Sequence, residues 1–69
     1  MKWYETKMPW KCETEWWTQR DNFGICYSIK HFYGENHVHL YICDIEAGTH
    51  ETVINAQNAA AAHYASNHN

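Results

Sequence analysis

A chain of 69 residues has room for one domain with one core, and a core of that size supplies only about 3–5 kcal/mol of net stability. Its 45% hydrophobic and 16% aromatic content excludes a disordered chain, and four Trp with five Tyr exceed what so small a core can bury, so some belong at the surface as contacts. Eight acidic against five basic residues give a net charge of −3, a poor footprint for a phosphate backbone, although six His can reduce that charge near about pH 5–6.

Residues 1–13 lack the apolar run of a signal peptide. No stretch approaches the roughly 18 apolar residues of a membrane span, so the chain reads as a protein of the cytosol. Cys12, Cys26 and Cys43 are odd in number and lack CxxC spacing, which predicts reduced, packed thiols rather than a disulfide framework. Pro9 separates an N-terminal extended segment, residues 1–9, from the rest of the chain.

Strict alternation then predicts antiparallel strands over residues 10–44. Trp10, Cys12, Thr14, Trp16 and Thr18 share one face, and Lys11, Glu13, Glu15, Trp17 and Gln19 the other. Residues 20–24 carry turn chemistry, Arg-Asp-Asn and then Gly24. In the next strand, residues 24–33, Ile25, Tyr27, Ile29 and His31 alternate with Cys26, Ser28, Lys30 and Phe32. After Gly34, Glu35 and Asn36, a strand over 37–44 sorts Val38, Leu40 and Ile42 from His37, His39, Tyr41 and Cys43.

The apolar sets of the last two strands must share a side of the sheet, and opposed residues of an antiparallel pair share a face. A three-residue loop pairing Tyr33 with His37 would mix the faces. A four-residue loop, which sets Ile29 opposite Ile42, keeps them sorted, and so does a two-residue Gly34–Glu35 loop.

Residues 45–51 read as a connection bent at Gly48. Thr52 is the expected N-cap of a helix over 52–66, with His50 or Thr49 serving if it starts a turn earlier. Val53, Ala56, Ala60 and Tyr64 form its inward stripe, flanked by Ala59 and His63. The run Ala59–Ala62 has a packing reason. A sheet whose inner face carries Trp16, Tyr27, Ile29, Leu40 and Ile42 needs small groups on the helix above it. The predicted fold is α+β, a three- or four-stranded antiparallel sheet with one C-terminal helix packed on one face.

Residues 47–64, with Thr52, Val53, Ala56, Ala59, Ala60, His63 and Tyr64, resemble the C-terminal segment of a class of short phage and prophage proteins. In that class a small sheet ends in a Gly-containing turn and an Ala-rich helix. Upstream, Trp17-Thr18-Gln19, Phe23-Gly24 and Tyr27-Ser28-Ile29 match its strands, so the likeness covers about residues 16–65. Ile54, Asn55 and Gln57 stand where that class carries acidic and Lys residues. The resemblance implies a small accessory protein of a phage or mobile element, acting in the bacterial host cytosol. The sheet-then-helix order also resembles the plant APETALA-type and phage-integrase arm-binding domains, which bind DNA with the sheet, and the tail resembles the end of a double-stranded-RNA-binding domain. This sheet offers one Lys, Lys30, where DNA binders show several Arg, and Val53 and Ile54 stand where RNA binders need Lys.

The outer sheet face carries Trp17, Lys30, Phe32, His39 and Tyr41, with Cys26, Ser28 and Cys43 between them. Exposed aromatic clusters of this kind mark interfaces. The expected function is non-catalytic binding of a host protein through these five residues. The alternatives are homodimerisation through the same face and nucleic-acid binding by the sheet. A fold-back of Trp3, Tyr4, Met8 and Trp10 over the face would instead make a second small core. His37-Val38-His39 has strand spacing for two metal ligands, with Cys43 further along the same face as a third candidate. Lacking zinc-finger spacing, it is read as a pair of partly exposed histidines, and no cofactor or metal is assigned. No Gly-rich elbow or Cys-led helix marks a nucleophile, so no catalysis is assigned.

Overall fold

The computed structural model describes residues 1–8 and 10–67, so the role read for Pro9 lies outside the described residues. Five strands, β1 (Tyr4–Met8), β2 (Cys12–Trp17), β3 (Tyr27–His31), β4 (Val38–Ile42) and β5 (Ile45–His50), precede one helix, α1 (Val53–Asn67). The strands form a single antiparallel sheet in the order β1-β2-β3-β4-β5, an uninterrupted meander. The α+β class and the single C-terminal helix agree with the sequence pattern. The strand count does not: the sheet has five strands where three or four were expected.

The fifth strand arises from a tight turn the letters do not advertise. Ile42 pairs with Ile45, leaving Cys43 and Asp44 as a two-residue loop, and both have positive φ, 52° and 68°. That is the backbone of a type I′ hairpin, whose twist matches the strands it joins. The usual Asn-Gly signal is missing, so residues 45–51 read as a connection. Gly48 is not its bend. It lies within β5 at φ 118°, where the pairing skips two residues opposite Leu40, which is a bulge.

The first strand pairs beside β2 rather than folding over the sheet. Tyr4 lies opposite Trp17 and Lys7 opposite Thr14, but the next pair is Met8 with Cys12. Glu13 is the extra residue of this bulge. Cys12 therefore changes sides and sorts with Glu15 and Trp17, not with Thr14 and Trp16 as strict alternation predicted.

The β3–β4 register is Tyr27 opposite Ile42 and Ile29 opposite Leu40, the pairing of the shorter loop, which excludes the alternative that set Ile29 against Ile42. Ladder pairing stops at Lys30 and His39, and residues 32–37 form the loop, turning at Gly34 (φ 81°) with Glu35 N–H donating to the Phe32 carbonyl at 3.2 Å. The β2–β3 loop is built on Asp21, whose Oδ1 accepts from the amides of Phe23 and Ile25, each at 2.9 Å. Such Asx-type turns replace ladder bonds with side-chain ones.

The core lies between the helix and β3–β4. Tyr27, Ile29, Val38, Leu40, Ala56 and Ala60 are buried, with Trp3, Trp16, Ile25, Ile42, Val53, Ala59 and Tyr64 packed around them. Ala56 and Ala60 are both 0% exposed, so the predicted stripe is the one that faces inward. Thr52 caps the helix, its Oγ1 accepting from Asn55 N–H at 3.1 Å. The phenol of buried Tyr27 meets His63 Nδ1 at 2.7 Å, which fixes the axial position of the helix on the sheet. Over β1 and β2 the helix-side face is closed by polar reach: Trp16 Nε1 donates to Glu5 Oε1 at 3.0 Å and Lys7 Nζ to buried Thr14 Oγ1 at 2.9 Å.

These contacts set two stability outcomes. Ala60→Leu should lower the unfolding free energy by about 1–3 kcal/mol in urea titration, because no space remains under the helix. The exposed neighbour Ala61, replaced in the same way, should change it little. Asp44→Gly should raise stability by up to about 1 kcal/mol, since an L-residue at its φ is strained. A drop in thermal midpoint for Asp44→Gly would reject the hairpin assignment.

Candidate functional site

The side of the sheet opposite the helix is where the chemistry-bearing residues collect. Register places Tyr4 and Thr6 of β1, Cys12, Glu15 and Trp17 of β2, Ser28 and Lys30 of β3, His39 and Tyr41 of β4, and Glu46 of β5 on this side. Among the described residues no strand or helix lies over it. The cover sought from the N-terminal segment is absent there for a clear reason. Trp3 packs into the helix-side core, Tyr4 extends the sheet sideways, and Trp10 is 82% exposed.

All five residues read as contacts lie along this face, each half-buried. Trp17 stacks on Tyr4 at 4.8 Å between ring centroids, with its Nε1 donating to Thr6 Oγ1 at 3.0 Å. Lys30 Nζ sits over the Tyr41 ring at 4.8 Å, a cation–π pair bridging β3 and β4. Phe32, just past the end of β3, meets His39 edge-on at 5.2 Å. These contacts hold the aromatic groups in fixed positions. Of the residues read as lying between them, Ser28 pairs with Tyr41. The Cys26 carbonyl accepts from the Cys43 amide at 2.9 Å where the β3–β4 pairing ends.

Five members of the face were not foreseen: Tyr4, Thr6, Cys12, Glu35 and Glu46. Cys12 is 0% exposed yet stands apart from the helix-side core. Burial first, and then Glu15, push its thiol above the ordinary cysteine value, so it packs as a protonated hydrophobe rather than a nucleophile. Burial likewise raises Tyr41. The bulge at Glu13 and the I′ hairpin placed Cys12 and Glu46 here, and neither leaves a simple pattern in the letters.

His39 is the most constrained polar group on this side. Its Nδ1 lies 2.8 Å from Glu46 Oε2 and its Nε2 2.8 Å from Glu35 Oε1. A neutral ring would turn a lone pair toward one of these carboxylates. The hydrogen bonds to Glu46 and then Glu35 accordingly hold its pKa above the ordinary value. His37 Nε2 lies 3.6 Å from the same Glu35 oxygen. Glu35, His37 and His39 each offer one ligand atom, all within 4.8 Å of one another. Cys43, the other residue weighed as a ligand, is not of this group; its thiol points to the Gly24 carbonyl at 3.7 Å.

A cleft of about 330 Å³ opens elsewhere, between the N-terminus, the β2–β3 loop and Tyr64. Its polar groups already serve the loop: Arg20 Nη1 donates to the Gly24 carbonyl and Asp21 accepts from loop amides. No helix of the described residues is long and apolar enough to cross a membrane. No protein-family model matches the chain, and neither the curated proteins nor the solved structures contain a significant match.

The charge state of His39 sets a pH dependence. The groups facing the ring are Glu46, Glu35, His37 and Lys30. A histidine whose folded pKa is raised contributes stability that is full below its unfolded value, about 6.5, and lost as pH rises through the folded value. In metal-free buffer the stability gap between the parent and His39→Gln should therefore shrink as pH rises above about 6.5. A gap that stays constant across that range would show that the ring carries no extra proton.

Proposed function

We propose that the protein is a non-catalytic binding module that engages a protein partner through the uncovered sheet face, with Trp17, Lys30, Phe32, His39 and Tyr41 as its contacts. The observation that carries this reading is the ordering of aromatic groups across neighbouring strands, Tyr4 stacked on Trp17 and Tyr41 under the Lys30 ammonium, on a side with no covering element among the described residues. Aromatic side chains give large contact area at low entropic cost, which is why they dominate binding hot spots. The likeness to short phage and prophage proteins extends the proposal to a protein of the bacterial host cytosol as the partner.

Charge favours protein over nucleic acid. Of the two strand cations, Lys7 reaches Thr14 on the helix side and Lys30 is committed to Tyr41, whereas Glu15 and Glu46 both lie on the outer face. A phosphate backbone would meet few uncommitted cations there.

The test is capture from bacterial lysate with the immobilised parent and with Trp17→Ala/Tyr41→Ala, both checked for folding by circular dichroism. The double variant should recover its partner at least about tenfold less well, as truncation of hot-spot aromatics does. Equal recovery would clear this face of the role. Light scattering on the free protein separates a second copy of this chain from a foreign partner. A salt-sensitive shift with short duplex DNA or RNA would redirect the reading to nucleic acid.

A further inference from the structure

We propose that Glu35, His37 and His39 form a binding site for one divalent transition-metal ion of the zinc class. The inference does not depend on what the sheet face binds.

Strand geometry supplies the first two ligands. His37, the loop residue that leads into β4, and His39, two positions on and within it, bring their rings to 5.1 Å from one another. The loop supplies the third, and holds it from both directions. Glu35 N–H donates to the Phe32 carbonyl, while His31 Nε2 donates to the Glu35 carbonyl at 2.6 Å. The turn at Gly34, with φ 81°, directs the anchored residue back toward β4.

The distances suit a small ion. Metal–ligand bonds of about 2.0–2.1 Å in tetrahedral geometry place neighbouring ligand atoms about 3.3 Å apart. Glu35 Oε1 is 2.8 Å from His39 Nε2 and 3.6 Å from His37 Nε2, one below and one above that spacing. All three ligand atoms lie within 4.8 Å of one another, so side-chain rotation has to draw them together to seat the ion. The side chains of Glu35 and His37 are 36% and 38% exposed, so an ion can enter from solvent.

An outer shell is already in place. Glu46 Oε2 accepts from His39 Nδ1 at 2.8 Å, which leaves Nε2 as the atom directed into the site. This carboxylate–histidine arrangement orients metal-binding histidines and raises their basicity. Two imidazoles and one carboxylate suit zinc rather than calcium or magnesium, which prefer all-oxygen sets. Three protein ligands leave a fourth position open to water or to a side chain from another molecule.

The experiment uses the chelator-stripped full chain, titrated with zinc chloride by calorimetry and with cobalt chloride by visible absorption. One ion per chain is expected, with cobalt bands of a tetrahedral nitrogen–oxygen site and no thiolate charge-transfer band. His37→Gln and Glu35→Gln should each weaken zinc binding by at least about tenfold while leaving the circular dichroism spectrum unchanged. Glu46→Gln, which frees His39 Nδ1, should weaken it by about tenfold and keep the stoichiometry. Absence of one-to-one binding by the parent would overturn the proposal. So would a thiolate signature, or affinity unchanged in both His37→Gln and Glu35→Gln.

Discussion

The close seating of α1 on β3 and β4, made possible by Ala56 and Ala60, is the contact on which the other features depend. Both residues are completely buried beneath the helix, directly above a layer of Tyr27, Ile29 and Leu40. Larger helix residues would lift the helix from the sheet and open voids around those side chains, and small proteins have little stability to spare for that. The Tyr27–His63 hydrogen bond then selects one axial position among those that alanine tolerates. A smooth alanine surface gives proximity without register, and the polar pair supplies the register.

Because the helix takes up one side of the three strands β3, β4 and β5, the other side must be stabilised by its own side chains. It is, through lateral contacts: a cation–π pair between β3 and β4 and the His39–Glu46 bond between β4 and β5, with an aromatic stack continuing the pattern between β1 and β2. Each joins neighbouring strands, so the residues proposed as contacts also brace the ladder. The two roles share one physical cause. Large flat groups on a sheet exclude water from one another and still present an edge or face outward.

The carboxylates around His39 belong to the same logic. Glu35 and Glu46 come from opposite flanks, one from the β3–β4 loop and one from β5, and converge on a single ring. The convergence concentrates negative charge against imidazole. A cation, whether a proton on the ring or a metal ion beside it, balances that charge.

Much of the helix side was legible in the letters. Period-two alternation sorted Tyr27, Ile29, Val38, Leu40 and Ile42 onto one face, and 3.6-residue spacing sorted Val53, Ala56, Ala60 and Tyr64, because burial imposes strong, regular patterns. The same alternation put Trp17, Lys30, Phe32, His39 and Tyr41 on the reverse side. What the sequence alone could not determine was everything set by single backbone irregularities. The left-handed pair Cys43–Asp44, the bulge at Glu13 and the bulge around Gly48 each shift a strand by one residue or reverse it. A one-residue shift moves a side chain to the other face, so Cys12 changed sides and Glu46 came to His39. Hydrophobic periodicity fixes which residues face the core. Only the tertiary structure decides which polar residues become neighbours, because turns and bulges are short-range geometries that many sequences adopt once the surrounding strands hold them.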